Sequence, residues 1–420
     1  VTDLAAAPYR GRTHAELAEL ARELLLAGHL IDRSGMPHLI SRFGRDVMRD
    51  VAIDEWMSAS PIYTRRIQEL LGFTGDTVEV IFKGMQLDVG APPEFLDFRY
   101  EVLDDHNGRF HLAHCGALMD VEPMGDDYVQ AMCHDIEDPT FEATAAATNP
   151  RARMHPEHRP PRVPADRQPH CAWTITIDPA ADPLPFPAQA ERLASSRAAL
   201  LPLAVPPADL ASDDGWSDYT APLDSDLVME QFASATLAAL MDEVCLQGHL
   251  LSRGFLLHVL DRSSGDEAAA IGARQLTGIA GLATKRLARL LGVAPDLDGV
   301  AAVLAVHPLF LPRAYVDLHL ERRGDSLEVS LGTSPALEED DGLTWPTLLL
   351  AADDRALASA VTCLAPQARV IRTEPAPDRV ASWIVRLDAD REPCTQPDEV
   401  TLAEFSTGAR FEFQRRGTAG

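Results

Sequence analysis

Apolar residues recur at three- and four-residue intervals early in the chain, at Leu17, Leu20, Ala21 and Leu24. That spacing puts them on one face of a helix. Thr13 and Glu16 stand at capping-box spacing just ahead of the run, so a helix is expected to begin near Thr13, with Gly28 as its expected stop. A second helical region ends at RRIQELLGF, where Gly72 takes the C-terminal position. The pattern then changes to short apolar runs, TVEVIF (77–82), FRYEVL (98–103) and RFHLAHC (109–115), which predict strands. The segment DDHNG (104–108) joins the last two as a hairpin, because Asn-Gly supplies the positive φ angles of a tight turn. A helix over 126–148, an irregular stretch and a strand CAWTITID (171–178) complete the unit.

The same pattern returns 220 residues later. LLLAGHLIDRSGMPHLI (24–40) aligns without a gap on VCLQGHLLSRGFLLHVL (244–260), pairing Gly28 with Gly248, His29 with His249, Arg33 with Arg253 and His38 with His258. The offset holds through Thr64/Thr284, Arg66/Arg286, Leu71/Leu291 and Gly72/Gly292. It is 216 at Pro150/Pro366 and Arg153/Arg369, and 210 at Trp173/Trp383 and Asp178/Asp388. A register kept over fifty residues and recovered twice is the mark of an internal duplication. The expected fold is α+β: two tandem copies of a helix, antiparallel hairpin, helix and strand, related by a pseudo-two-fold axis. The expected division is 1–178, a Pro/Ala/Asp-rich linker over 179–225, and 226–420 as a degenerate second copy with a structural role.

Composition narrows the partners. With 420 residues and a formal net charge of −27, the chain repels phosphate backbones and anionic lipid, so neither nucleic acid nor membrane is an expected partner. The N-terminus lacks a basic start followed by a long apolar run, and stretches such as 300–306 are too short to span a bilayer. Six cysteines in so long a chain do not form a disulfide framework. A cytoplasmic protein is the expectation, with a homo-oligomer as one form of assembly.

Three Cys-His dipeptides stand in the first copy: His114-Cys115, Cys133-His134 and His170-Cys171. Adjacent side chains on a strand face opposite sides, so each strand dipeptide gives one member to a common site. Cys115, Cys133 and Cys171, with His134 or solvent as fourth ligand, make the economical set for zinc or iron. The alternative is packing, since free cysteine is often a small buried hydrophobe. The second copy is an internal control. Cys115 aligns with Gly332 or Thr333, Cys133 with Leu349, His134 with Leu350 and Cys171 with Ala381. Residues lost where the Gly, Trp, Pro and Leu positions persist point to function. Beside them HDIED (134–138) supplies Asp138 to orient His134, and Asp135 or Glu137 as general base; as an acidic helical turn it equally suits a solvated face. His170 is a further acid–base candidate. The loop 150–171 carries Arg151, Arg153, Arg159, Arg162 and Arg167 among prolines that include Pro156, Pro160, Pro161 and Pro164. Arg159 and Arg162 are the candidates for holding a small anionic molecule, against the alternative that the loop neutralises acidic surface.

The order HCGALMDVEPMGDDYVQAMCHDIED followed by CAW resembles the L-2-amino-thiazoline-4-carboxylic acid hydrolase-like family, itself related to small-ligand domains of the 4-vinyl reductase type. The resemblance covers about 15–178, one copy. It implies a metal- or thiol-dependent hydrolase opening a C–N or C–S bond in a small carboxylated substrate. The Pro/Arg-rich stretch before Cys171 departs from the family pattern. The other reading is a non-catalytic small-ligand or metal-binding sensor or scaffold. The chain has no P-loop, no GxGxxG after a strand, no HExxH and no GxSxG, so no nucleotide cofactor is expected.

Overall fold

The computed structural model describes residues 3–210, 215–351 and 354–414. Helix α1 (His14–Phe43) starts where the capping box places it, the Thr13 hydroxyl accepting from the Glu16 backbone N–H and Glu16 accepting from the Thr13 N–H at 2.7 Å. It runs through Gly28 instead of stopping there. A Cβ at Gly28 would lie 2.5 Å from a Val89 methyl carbon, so this glycine lets the chain after the third helix pass close by. Helix α2 (Arg45–Leu70) follows, reached through Gly44 at φ 87°. The run TVEVIF forms helix α3 (Val78–Met85) and not a strand. Thr77 caps it by accepting from the Val80 N–H, and a short apolar run buried on nearly every side has no period to separate the two states.

Strands β1 (Leu96–Asp104) and β2 (Asn107–Cys115) form the expected hairpin, with the reversal at Asp105 and His106 and not at Asn-Gly. The Asp104 carboxylate accepts from the His106 N–H at 2.8 Å and fixes that turn. Gly108 already lies in β2, where a side chain would strike Val78 and Phe82. Helices α4 (Gly116–Val121) and α5 (Asp126–Gln130) lead into a π-helical turn over Ala131–Ile136 and helix α6 (Glu137–Thr148). The segment read as irregular contains strand β3 (Ala152–His158), which pairs with β4 (Cys171–Ile177). The four strands form one antiparallel sheet in the order β1-β2-β4-β3. Its inner face carries Phe98, Tyr100, Phe110 and Trp173, covered by Phe82 of α3 and Phe141 of α6. The segment read as a linker contains helix α7 (Ala188–Ala194), with Ala190 and Leu193 buried.

The second half repeats this succession. Helices α8 (Ser234–Leu260), α9 (Gly265–Leu291) and α10 (Leu297–Ala305) precede strands β5 (Leu318–Arg323) and β6 (Ser326–Leu331). Helices α11 (Trp345–Ala351) and α12 (Arg355–Thr362), strands β7 (Ala368–Thr373) and β8 (Ala381–Leu387), and helix α13 (Asp398–Ala403) follow. The second sheet is again antiparallel, in the order β5-β6-β8-β7. The molecule is thus mixed α and β with two four-stranded antiparallel sheets. Among the described residues no helix is long and apolar enough to cross a membrane.

The four long helices pack across the halves, α1 on α8 and α9, and α2 on α8. Small residues permit this. A Cβ on Gly248 would lie 2.9 Å from Ile31, one on Gly35 would lie 2.8 Å from Phe255, and one on Gly254 would meet Ser58 and the Glu55 backbone. One apolar core therefore runs through both halves. Two buried ion pairs join them reciprocally. Arg66 on α2 donates to Glu243 on α8 at 2.8 Å and to the Ala199 and Leu201 carbonyls. Arg286 on α9 donates to Glu23 on α1 at 2.8 Å and to the Gly408 and Ala409 carbonyls. Each partner of the second set lies 220 residues from its counterpart in the ion pair, and each arginine also ties down the segment that closes one half.

Candidate functional site

A cavity of about 120 Å³ lies in the first half between α1, α2, the hairpin and the π-helical turn. Its wall is mostly apolar: four methionines (Met36, Met48, Met85 and Met132) and the rings of Trp56, Phe98 and Phe141. Into it reach His29, Asp32, Arg33, Asp88, Cys115 and Glu137. Such a wall with a few convergent polar groups is what small-molecule sites have in common.

Helix α1 supplies three of the polar groups. The Arg33 guanidinium donates to Asp120 at 3.2 Å and lies 4.0 Å from Asp32. Asp120 is saturated, for it also accepts from the Ser406 hydroxyl and from the Thr407 N–H and hydroxyl. Burial, and then Arg33, hold His29 well below its ordinary pKa, so it is neutral. Asp32 accepts from the Trp56 indole N–H at 2.8 Å and faces the carboxyl of Glu55 on α2, which is wholly buried. Burial pushes both acids up, Glu55 the more strongly because Asp32 adds its repulsion, so the pair retains a proton. Asp88 accepts from the Tyr63 hydroxyl at 2.8 Å and from the Gly90 N–H, yet burial still raises it to about 6.

Glu137 opens α6 immediately after the π-helical turn, a distortion that often marks functional sites. Burial raises its carboxyl to about 8, although Arg159 pulls in the other direction. Its Oε2 is buried with no hydrogen-bond partner. The three cysteines of the sequence reading gather beside it. Cys115 lines the cavity and caps α4 by accepting from the Leu118 N–H at 3.3 Å. Cys133 and Cys171 lie near enough to Cys115 and Glu137 to feel their charge. Burial first, and Glu137 second, push all three thiols up, Cys115 to about 12. They are neutral thiols.

The donors do not fit a metal site. Among the described residues no group of three or more His, Cys, Asp or Glu side chains is arranged to hold an ion. His134 turns its Nε2 to the Pro160 carbonyl at 2.6 Å, away from the role of fourth ligand. Asp135 points to Arg49, outside the cavity. His170 packs near His114, with ring centres 5.7 Å apart, and is held neutral at about 4 by burial and Arg162. Arg159 is bound to Asp138, and Arg162 holds Glu122 through two nitrogens at 2.7 and 3.0 Å. The loop arginines on which an anionic substrate would rest are thus engaged by carboxylates of the chain itself. Of the sequence candidates, Cys115 and Glu137 line the cavity, Cys133 and Cys171 lie close to them, His134, Asp135, Arg159 and Arg162 are engaged elsewhere, and His170 packs near His114 without lining the cavity.

His29, Asp32, Arg33, Glu55 and Asp88 were missed, although the internal control that singled out the cysteines would have found three of them. At the offset of 220, Asp32 meets Ser252, Glu55 meets Gln275 and Asp88 meets Pro308. In the second half the Ser252 hydroxyl donates to Gln275 at 3.3 Å, a neutral pair in the place of two carboxyls. There Phe310 stands where Gly90 lies, and the gap beside Leu276 and Trp345 is only about 10 Å³.

Comparison with protein-family models, with curated proteins and with solved structures gives no match.

In the folded chain, a thiol reagent at pH 8 should label the half-exposed Cys363 and Cys394 well before Cys115, Cys133 and Cys171. Mass spectrometry of the labelled peptides reads this directly, and rapid labelling of Cys133 would overturn the neutral, enclosed thiols.

Proposed function

We propose that the two halves are copies of one α+β unit, and that the first copy is a binding module for a small, largely apolar molecule. The observation that carries this is the cavity of about 120 Å³, set against about 10 Å³ beside Leu276 and Phe310 in the second half. An apolar cavity of about 150 Å³ suffices for benzene, so the ligand has a body of that order with one polar head. The second copy, its cavity filled by Phe310 and Trp345, serves as the wall on which α1 and α2 pack. Six free cysteines fit a reducing compartment such as the cytoplasm. Likeness to the thiazoline-carboxylate hydrolase-like family supports a small-ligand domain on the motif alone.

Hydrolysis of a C–N or C–S bond is a second reading, favoured by Glu137, which titrates near neutrality inside the cavity as a general base must. Under it, consumption of a thiazoline carboxylate would rise with pH through about 8 as Glu137 loses its proton. The binding reading is tested by Ala52→Leu. Ala52 is buried on the cavity wall, and three added carbons would occupy the space at a cost of about 1–3 kcal/mol. Calorimetry should show small aromatic probes binding the unaltered chain and not the variant. Equal binding to both would place the site elsewhere.

A further inference from the structure

We infer that the ligand of this cavity is an organic cation, a protonated amine or amidine on an apolar body about the size of one ring, held by Asp32, Asp88 and Glu137. The inference rests on the cavity being a binding site, as proposed above, and adds the charge of the ligand.

Charge around the space is lopsided. Asp32, Asp88 and Glu137 line it, with Glu55 behind Asp32. Against them stand Arg33, already matched by Asp120 at 3.2 Å, and a neutral His29. An incoming carboxylate would meet three acids and a guanidinium that is occupied. An incoming cation meets acceptors short of donors: the buried Oε2 of Glu137 is unpartnered, and Asp32 has the Trp56 N–H, a second acid beside it and Arg33 no nearer than 4.0 Å. The rings of Trp56, Phe98 and Phe141 line the same space, and aromatic rings attract a cation. Position for position, the second half replaces Asp32, Glu55 and Asp88 by Ser252, Gln275 and Pro308, where the corresponding gap is small. Burying carboxyls without donors costs stability, and the half without the cavity has shed them.

Binding of a cation is then linked to loss of a proton. Glu137 faces Arg159 and Asp138 at its own end, and Cys115, Cys133 and Cys171 from the hairpin, the π-helical turn and β4. The thiols stay neutral, so the charge change falls on the carboxyls. The cation lowers the pKa of Glu137, and its proton passes to solvent, leaving an ammonium–carboxylate pair.

Isothermal titration of the full chain with benzylamine, benzyl alcohol and benzoate tests this. Benzylamine should bind tightest, its affinity increasing up to about tenfold per pH unit between pH 6 and 8. Heats in buffers of different ionisation enthalpy should show proton release on binding. In Glu137→Gln the ratio of benzylamine to benzyl alcohol affinity should fall at least tenfold, and the pH dependence should flatten. If benzyl alcohol or benzoate binds as tightly as benzylamine, the cation inference is wrong and the cavity reading stands. If none of the three binds, the cavity reading fails, and this inference with it.

Discussion

Arg66→Ala and Arg286→Ala should each destabilise the protein by about 3–5 kcal/mol, and by similar amounts. Both guanidiniums are buried, and each holds a carboxylate from the other half together with two main-chain carbonyls. Truncation strands Glu243 or Glu23 without its partner and leaves carbonyls unsatisfied in the core. The losses should match because Arg66 with Glu243 and Arg286 with Glu23 are one arrangement used twice. Urea unfolding of both variants measures this. A cost under 1 kcal/mol for either would remove the reciprocal pairs as the joint between the halves.

The second large effect is a gain. Glu55 is buried on α2 opposite Asp32, and burial and that neighbour raise its carboxyl far above 4.5. A group raised in the folded state contributes fully below its unfolded value, and that contribution is lost as pH rises. Glu55→Gln keeps the shape and a donor for Asp32 and removes the titration, as Gln275 already does opposite Ser252. The variant should match the parent near pH 4 and exceed it increasingly as pH rises toward 8, at up to about 1.4 kcal/mol per pH unit. A variant less stable at pH 8 would contradict the buried acid pair. Such a gain would also fit a functional site held at the expense of stability.

Much of this architecture was legible in the chain. The capping box at Thr13, the hairpin runs and the strand around Trp173 form as their patterns require, because cap spacing and strand alternation are local. What failed was decided by distant neighbours. Gly28 reads as a stop but lies mid-helix because Val89 approaches it. TVEVIF reads as a strand, and β3 went unread because the prolines and arginines of its segment disguise an edge strand. At the site, Cys115 was found through its absence from the second half, and Glu137 as an acid beside the Cys133-His134 pair. Asp32 and Glu55 lie on long helices, where an isolated acid reads as a solvated position, and only the packing of α1 against α2 buries them.

The most direct test of a ligand cavity in the first half uses its methionines. Four of the chain's ten, Met36, Met48, Met85 and Met132, line the space, while Met154, Met229 and Met241 are buried elsewhere. With methyl-13C methionine throughout, addition of benzylamine should shift the four cavity methyl signals and leave those of Met154, Met229 and Met241 in place. Shifts centred on Met241 or Met229, or no shift at saturating ligand, would contradict a binding site in this cavity.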